Sequence, residues 1–112
     1  MTTITFTTKG QRIEAVEFKG HAELVPQGEP DILCAALSTA IDLLETTVND
    51  VLAVGAAVKV REEKALISLK LPGDMGGENE AVCQALLAGL MVYLTDLSGQ
   101  YPDNLTVLDM EV

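Results

Sequence analysis

The only histidine of the chain, His21, precedes a cysteine, Cys34, near the start of a predicted helix. Asp31 is typical of a helix N-cap, so Cys34 falls in the first turn, where backbone N–H groups and the helix dipole stabilise a thiolate. A thiolate and a histidine base carry out Cys–His acyl transfer, and the first-turn amides would hold an oxyanion. Ser38 lies one turn further along the same flank, within reach of the sulfur.

Each of these residues also has a structural explanation. A lone cysteine in an alanine-rich helix usually only packs, and a lone loop histidine is usually solvated. Ser38 would then hydrogen-bond to the carbonyl of Cys34. Asp31 either caps the helix, where its charge opposes thiolate formation, or turns toward His21 and orients the ring. Cys83, in the middle of a second predicted helix, is expected to be buried packing.

The first half of the chain predicts a strand pair followed by a helix. Thr2 to Thr8 alternates apolar residues with threonines, and Gln11 to Lys19 continues as a second strand with a bulge around Ala15. Gly20 to Pro30 contains glycines and prolines and is predicted to be a mobile loop. From Asp31 to Leu52, apolar residues recur at helical spacing and predict the first helix. Its buried stripe is expected to be Leu33, Leu37, Ala40, Leu44, Val48 and Val51.

The second half repeats this order and adds a last strand. Val58 and Val60 lead through Arg61–Lys64 into Ile67, Leu69 and Leu71, which predicts a second hairpin. A helix follows from about Val82 to Gly99, and Leu105 to Val112 closes the chain as a strand. The predicted order is ββαββαβ in one domain over residues 1–112. The fold class is α+β, with an antiparallel-rich five-stranded sheet and two helices.

The second predicted helix is apolar on two flanks. The flank expected to face the core carries Val82, Leu86, Leu90, Tyr93 and Leu97. The opposite flank carries Cys83, Leu87, Met91 and Leu94. One monomer does not easily cover both flanks, so a homodimer is predicted.

Composition excludes several classes of protein. The 112 residues are 48% hydrophobic and carry a formal net charge of -10, which argues against disorder and against nucleic-acid binding. The N-terminus has no signal-peptide pattern, so a cytoplasmic protein is expected. The uncharged stretch Ala81–Thr95 is too short to span a membrane. With two cysteines and one histidine, no zinc site is expected, and no cofactor is predicted. The acidic pairs Glu62–Glu63 and Glu78/Glu80 are expected to be solvated charges near turns.

Two motifs resemble the ribosomal-processing cysteine protease family, also called Prp or YsxB-like. They are Gly20-His21-Ala22 and the segment Asp31-Ile-Leu-Cys-Ala-Ala-Leu-Ser38, which departs from the family signature only by leucine for valine at two apolar positions. The length, the element order and the Gln100-Tyr101-Pro102 segment are also similar to the family. The resemblance therefore covers nearly the whole chain.

The resemblance implies a cysteine endopeptidase with Cys34 as nucleophile and His21 as general base and acid. In the family, the substrate is the precursor of large-subunit ribosomal protein twenty-seven, whose N-terminal extension is removed after a Phe-containing motif. Family members are homodimers with a glycine hinge before the helix, which corresponds here to Gly28. Two residues, Glu29 and Pro30, separate Gly28 from Asp31 where the family often has one, so Pro30 is expected to stiffen the approach to the helix.

Two other functions compete with this interpretation. A non-catalytic binding module would recognise a basic ribosomal protein or assembly intermediate through the same acidic surface. A thiol-dependent redox protein would need a resolving cysteine near Cys34, and Cys83 on the other helix is a poor candidate. Thiol reactivity separates the first alternative from the protease, because a binding module does not need an activated Cys34.

Overall fold

The structure, a computed structural model, describes residues 1–20 and 31–112. Its strands are β1 (Thr2–Lys9), β2 (Arg12–Gly20), β3 (Ala57–Arg61), β4 (Leu66–Lys70) and β5 (Leu105–Glu111), and its α-helices are α1 (Ile32–Glu45) and α2 (Gly77–Gln100). A π-helical turn at Thr46–Val51 extends α1, and a 3-10 turn at Glu62–Lys64 joins β3 to β4. The strands form one sheet in the order β3-β4-β2-β1-β5. Three pairings are antiparallel, and β1 pairs with β5 in parallel. The predicted α+β class and element order are confirmed.

The hairpin of β1 and β2 contains the predicted bulge. Thr7 pairs with Ala15 while Thr8 pairs with Ile13, so one extra residue of β2 lies between the two pairs. This extra residue lets Ile13 and Val16 both point into the core, although they are three positions apart. The bulge thus explains why the apolar residues of β2 do not alternate regularly along the strand.

The first helix begins at the predicted cap. Its predicted end near Leu52 also agrees with the structure, but the last turn is wider than an α-helical turn, and the Leu52 N–H donates to the Thr47 oxygen over 2.9 Å. The wider turn rotates the following residues, so Val51, expected to be buried, is 71% exposed. Ile41, outside the predicted stripe, is 4% exposed and belongs to the core.

The second helix turns the flank that carries Cys83 to the core, about a quarter turn from the flank that was predicted to lie there. It begins at Gly77, earlier than predicted, and buries Cys83, Leu87 and Leu94 against the sheet. Val82 and Tyr93, expected in the core, are 43% and 62% exposed. The prediction of two apolar flanks is confirmed, but the assignment of the core flank is wrong, because the apolar period is the same on both.

Two polar contacts fix the rotation of α2 about its axis. The Gln84 side chain accepts from the Ile13 N–H and donates to the Ile13 carbonyl, both over 2.8 Å. Arg12 bonds to Glu80 over 2.5 Å and to the Pro72 carbonyl over 2.6 Å. With these polar residues turned toward β2, the neighbouring Cys83 flank is the one that reaches the core.

Both helices lie on one face of the sheet and share one core with it. The core is built from Ile4, Phe6, Val16, Phe18 and Leu69 of the sheet and from the buried residues of α1 and α2. By length and composition, the segments Ile32–Val51 and Gly77–Gln100 could each cross a membrane. Core helices pass the same test, and each of these helices has one face in the shared core.

Candidate active site

A cleft of about 210 Å³ opens between α1 and the ends of the central strands. The residues that line it, here called the Cys34 cleft, are Thr2, Phe18, Gly20, Cys34, Leu37, Ser38, Ile41, Ala65 and Ile67. The first three turns of α1 form one wall, and β1, β2, β4 and the β3–β4 connection form the other. The cleft therefore gathers segments that are far apart in the sequence.

The first turn of α1 presents Cys34 to this cleft. Asp31 has an extended backbone and its Oδ1 accepts from the Cys34 N–H over 3.1 Å, which confirms its predicted role as N-cap. Leu33 and Leu37 anchor the helix in the core. Cys34 is partly exposed, and Ser38 one turn later is exposed and lines the same cleft. The predicted proximity of Cys34 and Ser38 is therefore present.

The inner wall of the cleft is mostly apolar. Phe18, Ile41 and Ile67 come from three different elements and leave few polar groups there. Thr2 adds a hydroxyl, and its backbone N–H is held by the Asn104 carbonyl over 2.9 Å. A cleft with apolar walls and a thiol at its rim can hold an apolar side chain beside the sulfur.

Gly20 closes the sheet end of the cleft and requires glycine. Its φ of 96° lies in a region that L-residues rarely adopt, and a Cβ there would overlap the Met1 carbonyl oxygen. Its N–H donates to the Ala65 carbonyl over 2.9 Å. The last residue of β2 is therefore held from both sides at the point where the chain continues to His21.

The structure brings together part of the predicted site. Gly20, Cys34 and Ser38 line one cleft, with Asp31 bonded to the cysteine amide. His21, Gly28 and Pro30 lie outside the described residues. Sequence reasoning missed six lining residues: Thr2, Phe18, Leu37, Ile41, Ala65 and Ile67. Leu37 and Ile41 follow Cys34 at helical spacing on α1, which is a local signal, but the other four reach the cleft through non-local strand pairing.

The two cysteines differ sharply in their surroundings. Cys83 is fully buried, as predicted, and this burial raises the pKa of its thiol, with the charge of Glu80 acting in the same direction. Cys34 is at the cleft surface. Among residues 1–20 and 31–112, no three His, Cys, Asp or Glu side chains are grouped to hold a metal ion.

An α+β fold with a cysteine in the first turn of a helix, at the rim of a cleft, is an arrangement suited to thiol-dependent hydrolysis. Over residues 1–106, the sequence matches the family described as cysteine protease Prp. The chain belongs to this family and is a cysteine protease. No curated protein matches the chain.

Solved structures share the fold. SMU.848 from Streptococcus mutans is 24% identical, with a TM-score of 0.83 over 100% of this chain and 96% of the other. The essential ribosomal processing protease Prp from S. aureus, in complex with a covalently linked product peptide, is 18% identical, with a TM-score of 0.81 over 97% and 99%. The same S. aureus protease with a substrate peptide is 17% identical, with a TM-score of 0.78 over 97% and 99%.

Proposed function

We propose that this protein is a cysteine endopeptidase that works through a Cys–His dyad, with Cys34 as nucleophile and His21 as general base and acid. The observation that carries the proposal is the Cys34 cleft, in which a thiol in the first turn of a helix meets apolar walls. Gly20, the residue before His21, lines the same cleft. The residue that precedes His21 in the sequence therefore belongs to the same cleft as Cys34, which supports the proposed dyad.

The chemistry is acyl transfer through a thioester. His21 takes the proton of the Cys34 thiol, and the sulfur attacks the scissile carbonyl carbon to form a tetrahedral oxyanion. Collapse breaks the C–N bond, and His21 gives its proton to the leaving amine. Water, deprotonated by His21, then attacks the thioester carbonyl and releases the acid product and the thiol.

The remaining predicted residues support this chemistry. Asp31 orders the first turn, and because the Cys34 N–H donates to it, we expect other first-turn amides to hold the oxyanion. Ser38 supports the sulfur by a hydrogen bond from the neighbouring turn. The family resemblance assigns Gly28 the supporting role of the family's hinge glycine.

The proposed substrate is the precursor of large-subunit ribosomal protein twenty-seven, cut after its Phe-containing motif. The apolar walls of the Cys34 cleft suit an apolar or aromatic side chain next to the scissile bond. The net charge of -10 favours a basic ribosomal protein as substrate and disfavours direct nucleic-acid binding. Because ribosomal proteins are made in the cytoplasm, we expect the enzyme to act there. Acyl transfer by a Cys–His dyad requires no cofactor, so none is proposed, and no membrane partner is proposed.

The test is cleavage of that precursor, taken from the same organism, with products mapped by mass spectrometry. Wild type is expected to cut at one bond, and Cys34→Ala and Cys34→Ser are expected to abolish cleavage, with His21→Ala nearly inactive. Cys83→Ala is the matched control, because it removes a thiol outside the cleft. Full activity of Cys34→Ala would refute the dyad, and binding without cleavage in both forms would favour a binding module.

The proposal includes a homodimer formed through the outer faces of the two helices. An apolar groove of about 350 Å³ is lined there by Ala40, Leu43, Leu44, Ala85, Leu86, Gly89, Leu90 and Tyr93. Two copies that each carry a charge of -10 repel one another, so they can meet only over an uncharged surface. Ala81–Thr95 contains no charged residue, and Gly89 allows close approach of a helix.

Sedimentation velocity tests the dimer. Tyr93→Glu places a charge in the groove and is expected to give a monomer. Val92→Glu is the matched control, because Val92 is 68% exposed on the same helix and does not line the groove. A wild type that sediments as a monomer, or a Tyr93→Glu variant that remains dimeric, would contradict this surface.

A further inference from the structure

Ala65 has a backbone conformation that is unusual for a residue with a side chain. Its φ of 47° and ψ of 51° are left-handed, a region that glycine and asparagine enter far more readily than alanine. Its N–H donates to the Glu62 carbonyl over 3.0 Å, which closes the 3-10 turn between β3 and β4. Residues held in such a region cluster at functional sites, where the surrounding structure enforces them.

The carbonyl of Ala65 points at Gly20 across the end of the sheet. The regular pairing of β2 with β4 ends at Lys19 and Leu66. Beyond that pair, the Gly20 N–H donates to the Ala65 oxygen over 2.9 Å. On the other side, Gly20 pairs with Thr2 and lies against the Met1 carbonyl. Gly20 is thus clamped between the start of β1 and the turn that precedes β4.

We infer that Ala65 is a positioning residue: its left-handed backbone aims the carbonyl that holds Gly20, and this contact fixes the direction in which the chain leaves β2 toward His21. The inference rests on the proposed role of His21 as base. Catalysis by a dyad depends on the placement of the base, and an error of about 1 Å can reduce the rate by on the order of a hundredfold. The hairpin of β3 and β4 therefore acts on the reaction through backbone geometry alone.

Two substitutions of Ala65 with side chains of similar volume distinguish an effect of backbone geometry from an effect of added side-chain volume in the cleft. In Ala65→Val, a β-branched residue resists the left-handed region, and kcat is expected to fall by about tenfold to a hundredfold. Ala65→Asn places a side chain of similar size at the same point but accepts that region, so its kcat is expected to fall clearly less than that of Ala65→Val.

Ala53 provides the matched control for the destabilisation that any left-handed residue would suffer when it is replaced by valine. It is also left-handed, with φ of 53°, but it lies between α1 and β3 and does not line the Cys34 cleft. Ala53→Val is expected to leave kcat close to wild type when all variants are assayed well below their melting temperatures. Equal losses in Ala65→Val and Ala53→Val, equal losses in Ala65→Val and Ala65→Asn, or no loss in Ala65→Val would each overturn the inference.

Amide hydrogen exchange measures the stability of the hydrogen bond from the Gly20 N–H to the Ala65 carbonyl, and it does not depend on enzyme activity. Protection of the Gly20 amide is expected to be lost in Ala65→Val and kept in Ala65→Asn and Ala53→Val. Unchanged protection in Ala65→Val would also overturn the inference. If the wild type cleaves no precursor, the proposed function fails, and the exchange measurement still decides whether Ala65 holds Gly20.

Discussion

The two cysteines show how strongly surroundings control the chemistry of one residue type. Cys34 is partly exposed in the first turn of α1, a position where the helix dipole generally favours a thiolate. Cys83 is fully buried in the middle of α2 beside an acidic residue, and its pKa is raised. Only a solvent-accessible thiolate can attack an electrophile, so reactivity should differ by site.

Alkylation at neutral pH is therefore expected to modify Cys34 alone. Iodoacetamide should label Cys34 within minutes and leave Cys83 unlabelled until the protein is denatured, because burial keeps Cys83 protonated and inaccessible. As pH rises toward the raised pKa of Cys83, its labelling should still lag behind that of Cys34. Peptide mass spectrometry over a time course measures both rates, and equal labelling of both cysteines in the native protein would contradict this expectation.

Two constraints, a positive φ and a close contact with the Met1 carbonyl, require glycine at position 20, whereas only a positive φ favours glycine at position 10. Both have positive φ, 96° and 62°, but a Cβ on Gly10 meets nothing within 4 Å, whereas one on Gly20 overlaps the Met1 carbonyl. Gly10→Ala is expected to lower the free energy of unfolding by about 1 kcal/mol, and Gly20→Ala by about 2–3 kcal/mol. Urea denaturation measures both, and equal losses would show that the overlap with Met1 carries no weight.

At the scale of elements, a side chain of α2 forms hydrogen bonds to the backbone of β2 like those between neighbouring strands, and these bonds hold α2 against β2. The Gln84 amide makes the two hydrogen bonds that a neighbouring strand would make to Ile13. The Arg12–Glu80 pair, with both side chains partly exposed, adds a contact that solvent screens. Because the pairing of β2 with β4 begins only at Ala15, Ile13 has no β4 partner, and Gln84 bonds to its backbone instead.

Gln84→Ala is expected to destabilise the protein by about 2 kcal/mol, since it leaves the N–H and carbonyl of Ile13 without these partners. Thermal or urea unfolding measures the change. Gln100→Ala is the matched control, because Gln100 is exposed at the end of the same helix. A loss no larger than that of the control would mean that water replaces Gln84 without penalty.

The elements themselves could be predicted from local patterns, and the errors have specific causes. The alternation in β1 and the helical spacing from Leu33 to Val48 are local signals, so those elements were predicted correctly. The core face of α2 was predicted wrongly because both flanks are apolar, and only the non-local bond from Gln84 to Ile13 decides between them. The contribution of Ala65 to the cleft depends on pairing between β2 and β4, which no sequence period reveals.

At the scale of the whole molecule, the charge of -10 gives the enzyme a long-range attraction for basic substrates. The acidic residues outnumber the basic ones, 17 to 7. Salt screens such attraction over about 10 Å at 0.1 M. The effect should appear in association and leave the chemical step unchanged.

Raising the ionic strength is therefore expected to lower kcat/KM for the proposed precursor substrate by about tenfold, with little change in kcat. A short uncharged peptide that spans the same scissile bond serves as the control and should be cut at a rate that salt does not alter. Steady-state assays across a salt series measure both substrates. A kcat/KM for the precursor that does not change with salt concentration would refute electrostatic steering.

The parallel pairing of β1 with β5 also has a consequence for folding. Thr2 in β1 pairs with Leu105 in β5, the edge strand next to β1. The pairing of β1 on this side therefore cannot form until β5 has been synthesised. Contacts between such distant residues slow folding, because a long loop must close before they form. During synthesis, β1 would emerge before β5, so the edge of β1 that pairs with β5 stays unpaired until then, and an unpaired edge is prone to aggregation. The sheet of this protein can be completed only after β5 has left the ribosome, so it folds fully only after translation of that strand.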